Sequence, residues 1–202
     1  MSVTDQAAYD QVVQTVGEVV GEEGLNLLIN NAGVLPQNRE LQVRYYGDKL
    51  ELSFIQCLQA VTPQDMRDAF ETNCIAPLFL SRALLPLIQK AATKSGDAAM
   101  GVAKAAIIQM STAVASIAEN SGGGMYAYRC SKSALNMSMK SLSVDLTSTG
   151  ILVMAMHPGW VLTEMGGPNA QITTETCCQT MIQTLAGLTD KVRQHHSFSH
   201  FF

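Results

Sequence analysis

The chain has 202 residues, of which 47% are apolar and 15% are charged, and its formal net charge is −4. This length and apolar fraction suit one domain with a buried core and exclude a largely disordered chain. The mild negative charge gives no electrostatic basis for binding nucleic acid or an anionic membrane.

Helical and strand-like segments alternate along the chain, which predicts an α/β protein with a parallel sheet. We predict helices over residues 5–22, 62–92, 126–146 and 173–185. The second helix begins at Thr62-Pro63, a threonine N-cap followed by proline at the first helical position, and should be bent or interrupted near Pro77. Short, wholly apolar strands over residues 25–29, 105–110 and 151–156 are typical of strands covered on both faces.

Residues 37–60 do not follow this alternation. They hold Tyr45-Tyr46-Gly47 and the alternating run from Leu50 to Phe54, which indicates a hairpin or a poorly ordered loop.

Targeting and redox features are few. Met1 to Asp10 lacks the basic start and apolar core of a secretory signal, and apolar runs stay well short of about 18 residues, so we expect no membrane partner. The five cysteines form no C-x-x-C pair, and reduced thiols in a cytoplasmic protein are the expected state. They are Cys57, Cys74, Cys130, Cys177 and Cys178. Histidines 195, 196 and 200 are interpreted as part of a mobile polar tail, so no metal site is predicted.

Tyr128 and Lys132 carry the clearest chemical signal. Residues four apart share one helix face, so their polar ends can meet in one cavity. A free tyrosine has a pKa of about 10, and a nearby ammonium lowers that pKa by favouring the phenolate. The pair therefore predicts proton transfer to or from an oxygen. Taken alone, such a pair is more often a solvated helix face.

Other polar residues fall in a fixed order around this pair. Asn30 to Gly33 follow the first apolar strand, Asn73 lies within the second helix, and Ser111-Thr112 close the second strand. Pro158 to Thr163 follow the third strand. Doubly wound sheets bind ligands at the carboxyl ends of their strands, where three of these four groups are expected.

This ordered set resembles the short-chain dehydrogenase/reductase family. The strings Ala127 to Asn136, His157 to Val161 and Met165-Gly166-Gly167 are most similar to carbonyl reductases of the sniffer and C-factor type. The resemblance implies an oxidoreductase that reduces an aldehyde or ketone with NADPH or NADH. It also implies a small-molecule carbonyl substrate and a homodimer, or a heterodimer with a full-length family member.

The resemblance also implies roles for single residues. Tyr128 would donate the proton, Lys132 would lower its pKa and bind the nicotinamide ribose, and Asn73 would hold a water beside the lysine. Thr112 takes the place of the serine that usually binds the substrate carbonyl, with Ser111 as the alternative. Cofactor contacts would come from Asn30, Ala32, Gly33, Tyr128, Lys132, Pro158, Gly159 and Thr163.

Three departures from the family pattern set expectations about completeness. The sequence has no T-G-x-x-x-G-x-G motif, the turn that cradles the cofactor pyrophosphate. Residues 1–191 are therefore interpreted as a partial, N-terminally truncated domain with an insertion at about residues 43–59. Residues 192–202 are interpreted as a divergent tail. The expected fold is an incomplete Rossmann-like, doubly wound parallel sheet without its first βαβαβ unit and its last strand.

Two functions follow from these expectations. One is NADPH-dependent carbonyl reduction, weakened because the phosphate-binding motif is absent. The other is a catalytically inactive, truncated isoform that acts by association with a full-length reductase or another partner.

Overall fold

The computed structural model describes residues 1–36, 45–46, 49–50, 58–188 and 199–200. Its helices are α1 (Tyr9–Val20), α2 (Pro63–Phe70), α3 (Ala76–Lys94), α4 (Tyr126–Asp145) and α5 (Thr174–Gly187), with a π-helical segment (Glu71–Ile75) between α2 and α3. Its strands are β1 (Leu27–Asn30), β2 (Tyr45–Tyr46), β3 (Lys49–Leu50), β4 (Ala106–Met110), β5 (Leu152–His157) and β6 (Ser199–His200).

One parallel sheet organises the fold, with strand order β1-β4-β5-β6. Leu27 pairs with Ala106, and Ala106 in turn pairs with Leu152, so the three longer strands end at a common edge of the sheet. This arrangement confirms the predicted α/β fold with a partial, Rossmann-like parallel sheet. Within the part of the chain that is described, β1 lies at one edge, as expected for a sheet without its first unit.

The opposite edge differs from the expectation. The predicted sheet lacks its last strand, whereas Ser199–His200 pairs in parallel with the end of β5. This strand has only two residues, and it belongs to the segment interpreted as a divergent tail. Residues 189–198 and 201–202 lie outside the described residues.

Alternating side chains of the central strands supply two hydrophobic clusters. Ile107 and Val153 point to one face, where they pack with Leu84 and Ile88 of α3. On the other face, Ile108, Met154 and Met156 pack with Leu185 of α5 and with Leu188. Both faces of β4 and β5 are therefore covered. This explains why the residues that precede Gln109 in β4 and His157 in β5 are all apolar.

The long helical run over residues 63–94 has a defined start and an irregular middle. Thr62 accepts a hydrogen bond from the Asp65 amide and the Asp65 carboxylate accepts one from the Thr62 amide, so both halves of a capping box are present. The predicted bend or interruption near Pro77 is found as an interruption, at the π segment that ends at Ile75, where the regular α-helical hydrogen bonding changes.

This run bears on the expectation that no apolar stretch is long enough to span a membrane. By length and composition alone, residues 63–94 form a helix that could cross a membrane, with a mean hydropathy of 1.3 in the most apolar window. The core helix of a globular domain meets the same criterion. Here Leu84, Ile88 and Ala92 are buried against the sheet, which accounts for the apolar composition.

The predicted insertion is described only in part. Tyr45–Tyr46 pairs antiparallel with Lys49–Leu50, which agrees with a hairpin, and the rest of residues 43–57 lies outside the described residues. Among the described residues, Cys74, Cys130, Cys177 and Cys178 are free thiols, and no group of acidic, histidine or cysteine side chains is arranged to hold a metal ion. Cys57 and the side chains of the three tail histidines are not described.

Candidate active site

The end of β4 delivers two hydroxyl side chains to one edge of the sheet. Ser111 and Thr112 follow Met110 directly, and both are more than nine-tenths buried. The two hydroxyls have different partners. Ser111 Oγ donates to Asn136 Oδ1 at 2.6 Å, whereas Thr112 accepts a hydrogen bond from the Val114 amide and faces Tyr128. Thr112 is thus the hydroxyl that meets the tyrosine.

Tyr128 lies in the first turn of α4, with its hydroxyl close to that of Thr112. Burial raises the pKa of Tyr128 above 10, and the Thr112 hydroxyl offsets only part of this shift. Lys132, which the sequence predicts to lower this pKa, is not one of the causes of the shift, and burial is the largest of them. Tyr128 is therefore protonated at neutral pH.

Lys132 lies one turn further along α4 and is 4% exposed. Its ammonium donates to the Met110 carbonyl at 2.7 Å, which ties α4 to the end of β4. Burial lowers the pKa of Lys132 from its usual 10.5 to about 8, and the nearby Cys74 raises it in part. The side chain is a buried cation at neutral pH that can lose its proton in mildly basic solution.

Asn73 occupies the middle of the π segment and is fully buried. Its Oδ1 accepts from the Val34 amide at 2.7 Å, and its Nδ2 donates to the Val34 carbonyl at 2.8 Å and to Ser131 Oγ at 3.0 Å. One amide side chain therefore joins the loop after β1 to the catalytic face of α4. This explains how a residue far away in sequence reaches Tyr128 and Lys132.

Gly33 lies close to two polar side chains of the site. A Cβ at this position would lie 3.2 Å from Asn73 Oδ1 and 3.4 Å from Lys132 Nζ. The lack of a side chain therefore lets the loop after β1 approach Asn73 and Lys132 closely.

The remaining predicted cofactor residues have varied positions. Asn30 is buried, and its side-chain Nδ2 donates to Ser81 Oγ at 2.9 Å inside the core. Ala32 is exposed next to Gly33. Together, the structure gathers Asn73, Thr112, Tyr128, Lys132 and Gly33, and turns the side chain of Asn30 away from them.

The turn after β5 emerges at the same sheet edge, since β4 and β5 are parallel neighbours. Gly159 has a φ of +83°, and a Cβ there would lie 2.8 Å from Ile172, so this position requires glycine. The Pro158 carbonyl accepts from Cys177 Sγ of α5. Thr163 is exposed and its Oγ1 accepts from the Gly166 amide at 3.1 Å.

Sequence reasoning missed two roles within α4. Ser131 bridges Asn73 and the Tyr128 carbonyl, and Arg129 donates to the carbonyls of Val114 and Gly123. Both lie inside the Tyr128–Lys132 string. Their spacing relative to Tyr128 was available in the sequence. No local pattern identifies the Asn73 side chain, 58 residues from Ser131, or the Val114 carbonyl, 15 residues from Arg129, as their partners.

Comparison with known proteins identifies the family of the chain. The model of the short chain dehydrogenase family matches residues 1–173. C-signal of Myxococcus xanthus is 33% identical over 165 residues, which are 81% of this chain and 82% of the relative. Among solved structures, carbonyl reductase Sniffer of D. melanogaster is 40% identical with a TM-score of 0.85, covering 98% of this chain and 72% of that one.

An NADPH-bound carbonyl reductase from chicken fatty liver is 36% identical with a TM-score of 0.77, and the match covers 95% of this chain and 69% of that one. The family model spans most of the chain, and Sniffer and the chicken reductase share both sequence and fold with it. The chain therefore belongs to the short-chain dehydrogenase family of oxidoreductases.

Proposed function

We propose that this site serves the NADPH-dependent reduction of an aldehyde or ketone, with Tyr128 as the proton donor. The observation that carries the proposal is the meeting of the Tyr128 hydroxyl with Thr112 beside the buried ammonium of Lys132. The carbonyl reductases among the similar structures, one of them bound to NADPH, support the reaction class.

Tyr128 and Thr112 act on the substrate oxygen. Reduction turns a carbonyl into an alkoxide, which needs a proton and hydrogen-bond donors as its charge grows. Tyr128 is protonated at neutral pH because burial raises its pKa, so it can give that proton. Thr112 supplies a second hydroxyl at the same point, and its methyl group narrows the space next to it.

Lys132 and Asn73 support the donor. When the cofactor is bound, the Lys132 ammonium would donate to a ribose hydroxyl beside Gly33, and its charge would stabilise the tyrosinate left after proton transfer. Asn73 holds the loop after β1 against α4. Pro158, Gly159 and Thr163 would lie along the nicotinamide, and Asn30 and Ala32 along the adenosine side. When bound, NADPH supplies the hydride.

Cofactor affinity is the weak point of this chain taken alone. The sequence contains no Gly-rich phosphate-binding motif. Losing three or four pyrophosphate hydrogen bonds at about 1.5–3 kcal/mol each removes roughly 5–12 kcal/mol of binding. At about 1.4 kcal/mol per tenfold change, a micromolar site becomes millimolar or weaker. We therefore expect impaired reductase activity from these 202 residues alone.

Calorimetric titration of the purified chain with NADPH tests the proposal. We expect weak binding, with a Kd of about a millimolar or above, that is lost in Lys132→Met and retained in Lys140→Met, a control on the same helix. Binding should weaken as the pH rises through about 8, since the charge of Lys132 is present below its pKa and lost above it. An unchanged Kd for NADPH in Lys132→Met would contradict the proposed cofactor site.

A second function is favoured by a groove on the surface of α3 and α4. Leu78, Ala134, Met137 and Leu142 line it together with Ser138, Ser141 and Asp145. Met137 is 68% exposed and Val144 is 58% exposed, so two apolar side chains of α4 face outwards. We propose that a second copy of the chain, or a full-length family member, packs on this groove. The chain would then act by association, without catalysis of its own.

Sedimentation measurements test the association. Met137→Glu places a charge in the groove and is expected to shift the chain from dimer to monomer by at least tenfold in dissociation constant. Val19→Glu is the matched control, because Val19 is 82% exposed on α1, away from the groove. A monomeric parent chain, or equal effects of both substitutions, would rule out a second copy as the partner.

A further inference from the structure

One stripe of α4 is bonded to the short turn that carries Thr112. Arg129 Nη1 donates to the Val114 carbonyl at 2.9 Å, and Ser133 Oγ donates to the Ala115 carbonyl at 2.8 Å. In the same region, Ser111 Oγ donates to Asn136 Oδ1 at 2.6 Å. Residues 129, 133 and 136 follow the spacing of a single helix face. Hydrogen bonds to main-chain carbonyls fix the turn itself and not only a side chain. We call residues 111–115 the Thr112 turn.

Arg129 also holds the other end of the loop that follows this turn. Its Nε donates to the Gly123 carbonyl at 3.1 Å, while the Gly123 amide donates to Asn120 Oδ1 at 2.9 Å. A single guanidinium thus bridges the start of the loop, at Val114, and its end. The planar fork of arginine, with N–H groups in fixed directions, suits two carbonyls on different segments.

The end of that loop has a strained backbone that needs such support. Gly123, Gly124 and Met125 have φ values of 61°, 63° and 49°, so three successive residues are left-handed immediately before α4 begins. Met125 is not glycine and has a Cβ that this conformation disfavours. The Met125 carbonyl accepts from the Arg129 amide at 2.8 Å as the first bond of the helix. Arg129 therefore supports the entry to α4 with both its main chain and its side chain.

The two hydroxyls of the site sit on the two segments that these bonds join. Tyr128 lies on α4 next to Arg129, and Thr112 lies on the turn. A hydrogen bond between hydroxyls tolerates only a few tenths of an ångström, so the spacing of helix and turn decides whether it forms. Lys132 donates to the Met110 carbonyl at the end of β4. Within the described residues, it makes no hydrogen bond to the Thr112 turn.

We propose that Arg129 and Ser133 are positioning residues of this site: by binding the Thr112 turn to α4, they set the contact between the hydroxyls of Thr112 and Tyr128. The inference rests on the proposed function only for its consequence on turnover, since the contact itself is a feature of the fold. Asn136 completes the set through Ser111.

The test uses the NMR signals of ring-labelled tyrosine, with Tyr128 assigned by the signal that Tyr128→Phe removes. Thr112→Val defines the shift that follows loss of the hydroxyl contact. We expect Arg129→Met and Ser133→Ala to move the Tyr128 signal in the same direction. Ser138→Ala should leave it in place, because Ser138 Oγ donates within its own helix to the Leu135 carbonyl. Arg129→Lys should give a smaller shift, since one ammonium cannot span both carbonyls.

An unchanged Tyr128 signal in folded Arg129→Met and Ser133→Ala would overturn the inference, even if hydrogen exchange in residues 113–125 became faster. If Arg129→Met does not fold, Ser133→Ala alone decides. Where the parent chain turns over a carbonyl, both variants should lose about tenfold to 100-fold in kcat with little change in the KM for NADPH. The NMR result is independent of turnover, so failure of the proposed function leaves this test intact.

Discussion

Tyr128→Phe is expected to lower the kcat/KM for carbonyl reduction by roughly 100- to 10,000-fold, the usual contribution of a positioned proton donor. The substitution removes only the hydroxyl that lies close to Thr112 and keeps the aromatic ring. Stability should change little, so the melting temperature should remain near that of the parent. The measurement is NADPH oxidation with an aldehyde or ketone substrate.

Tyr126→Phe is the matched control for this experiment. Tyr126 lies in the same first turn of α4 but is partly exposed, and no role in the site is assigned to it. The control should retain parental activity. A measurable parental activity that is unchanged in Tyr128→Phe would exclude Tyr128 as the proton donor.

Gly24→Ala is expected to cost about 4 kcal/mol of unfolding free energy, a large part of the 5–15 kcal/mol of a typical domain. A Cβ at this position would lie 2.4 Å from the Ala91 nitrogen and 2.7 Å from the Leu87 carbonyl oxygen, which are backbone atoms of α3 and cannot rotate away. The next residue, Leu25, donates its amide to that same carbonyl at 2.9 Å. Urea denaturation followed by circular dichroism gives the measurement.

Gly21→Ala separates backbone strain from collision. Gly21 also has a positive φ, of 50°, but nothing lies within 4 Å of its added Cβ. It should lose only the strain cost of about 1–3 kcal/mol. Equal losses at Gly24 and Gly21 would show that contact with α3 does not limit the position.

The fold was largely predictable because its signals are local. Apolar strands, the Thr62-Pro63 helix start and the alternation of elements each predict structure within a few residues, and the observed bounds differ mainly at the ends. The position of the irregularity in the long helix was not predictable. Pro77 is the residue in the sequence that indicates one, but the irregularity is a π segment that contains neither glycine nor proline. Asn73 in this segment bonds to Val34, which is distant in sequence.

The candidate site was also predictable only in part. The order of Asn73, Thr112, Tyr128 and Lys132 along the chain predicted that these residues meet, because strand ends and a facing helix share one edge of the sheet. The sequence shows the charge next to Tyr128 but not the extent of burial, which is the largest cause of the shift in the Tyr128 pKa. The hydrogen bond from the Asn30 amide to Ser81 is visible only in the packed core.

The π segment has a consequence for how this helix can change. A π turn accommodates one extra residue, so it rotates everything after it by roughly 100° relative to an uninterrupted α-helix. The half before it packs on α4, and the half after it packs on α1, the sheet and α4. The residues that face these neighbours therefore follow a different helical phase in each half. Deleting one residue between Glu71 and Ile75 would restore the regular α-helical phase. This rotation would turn either Asn73 or the core face of α3 away from its partners.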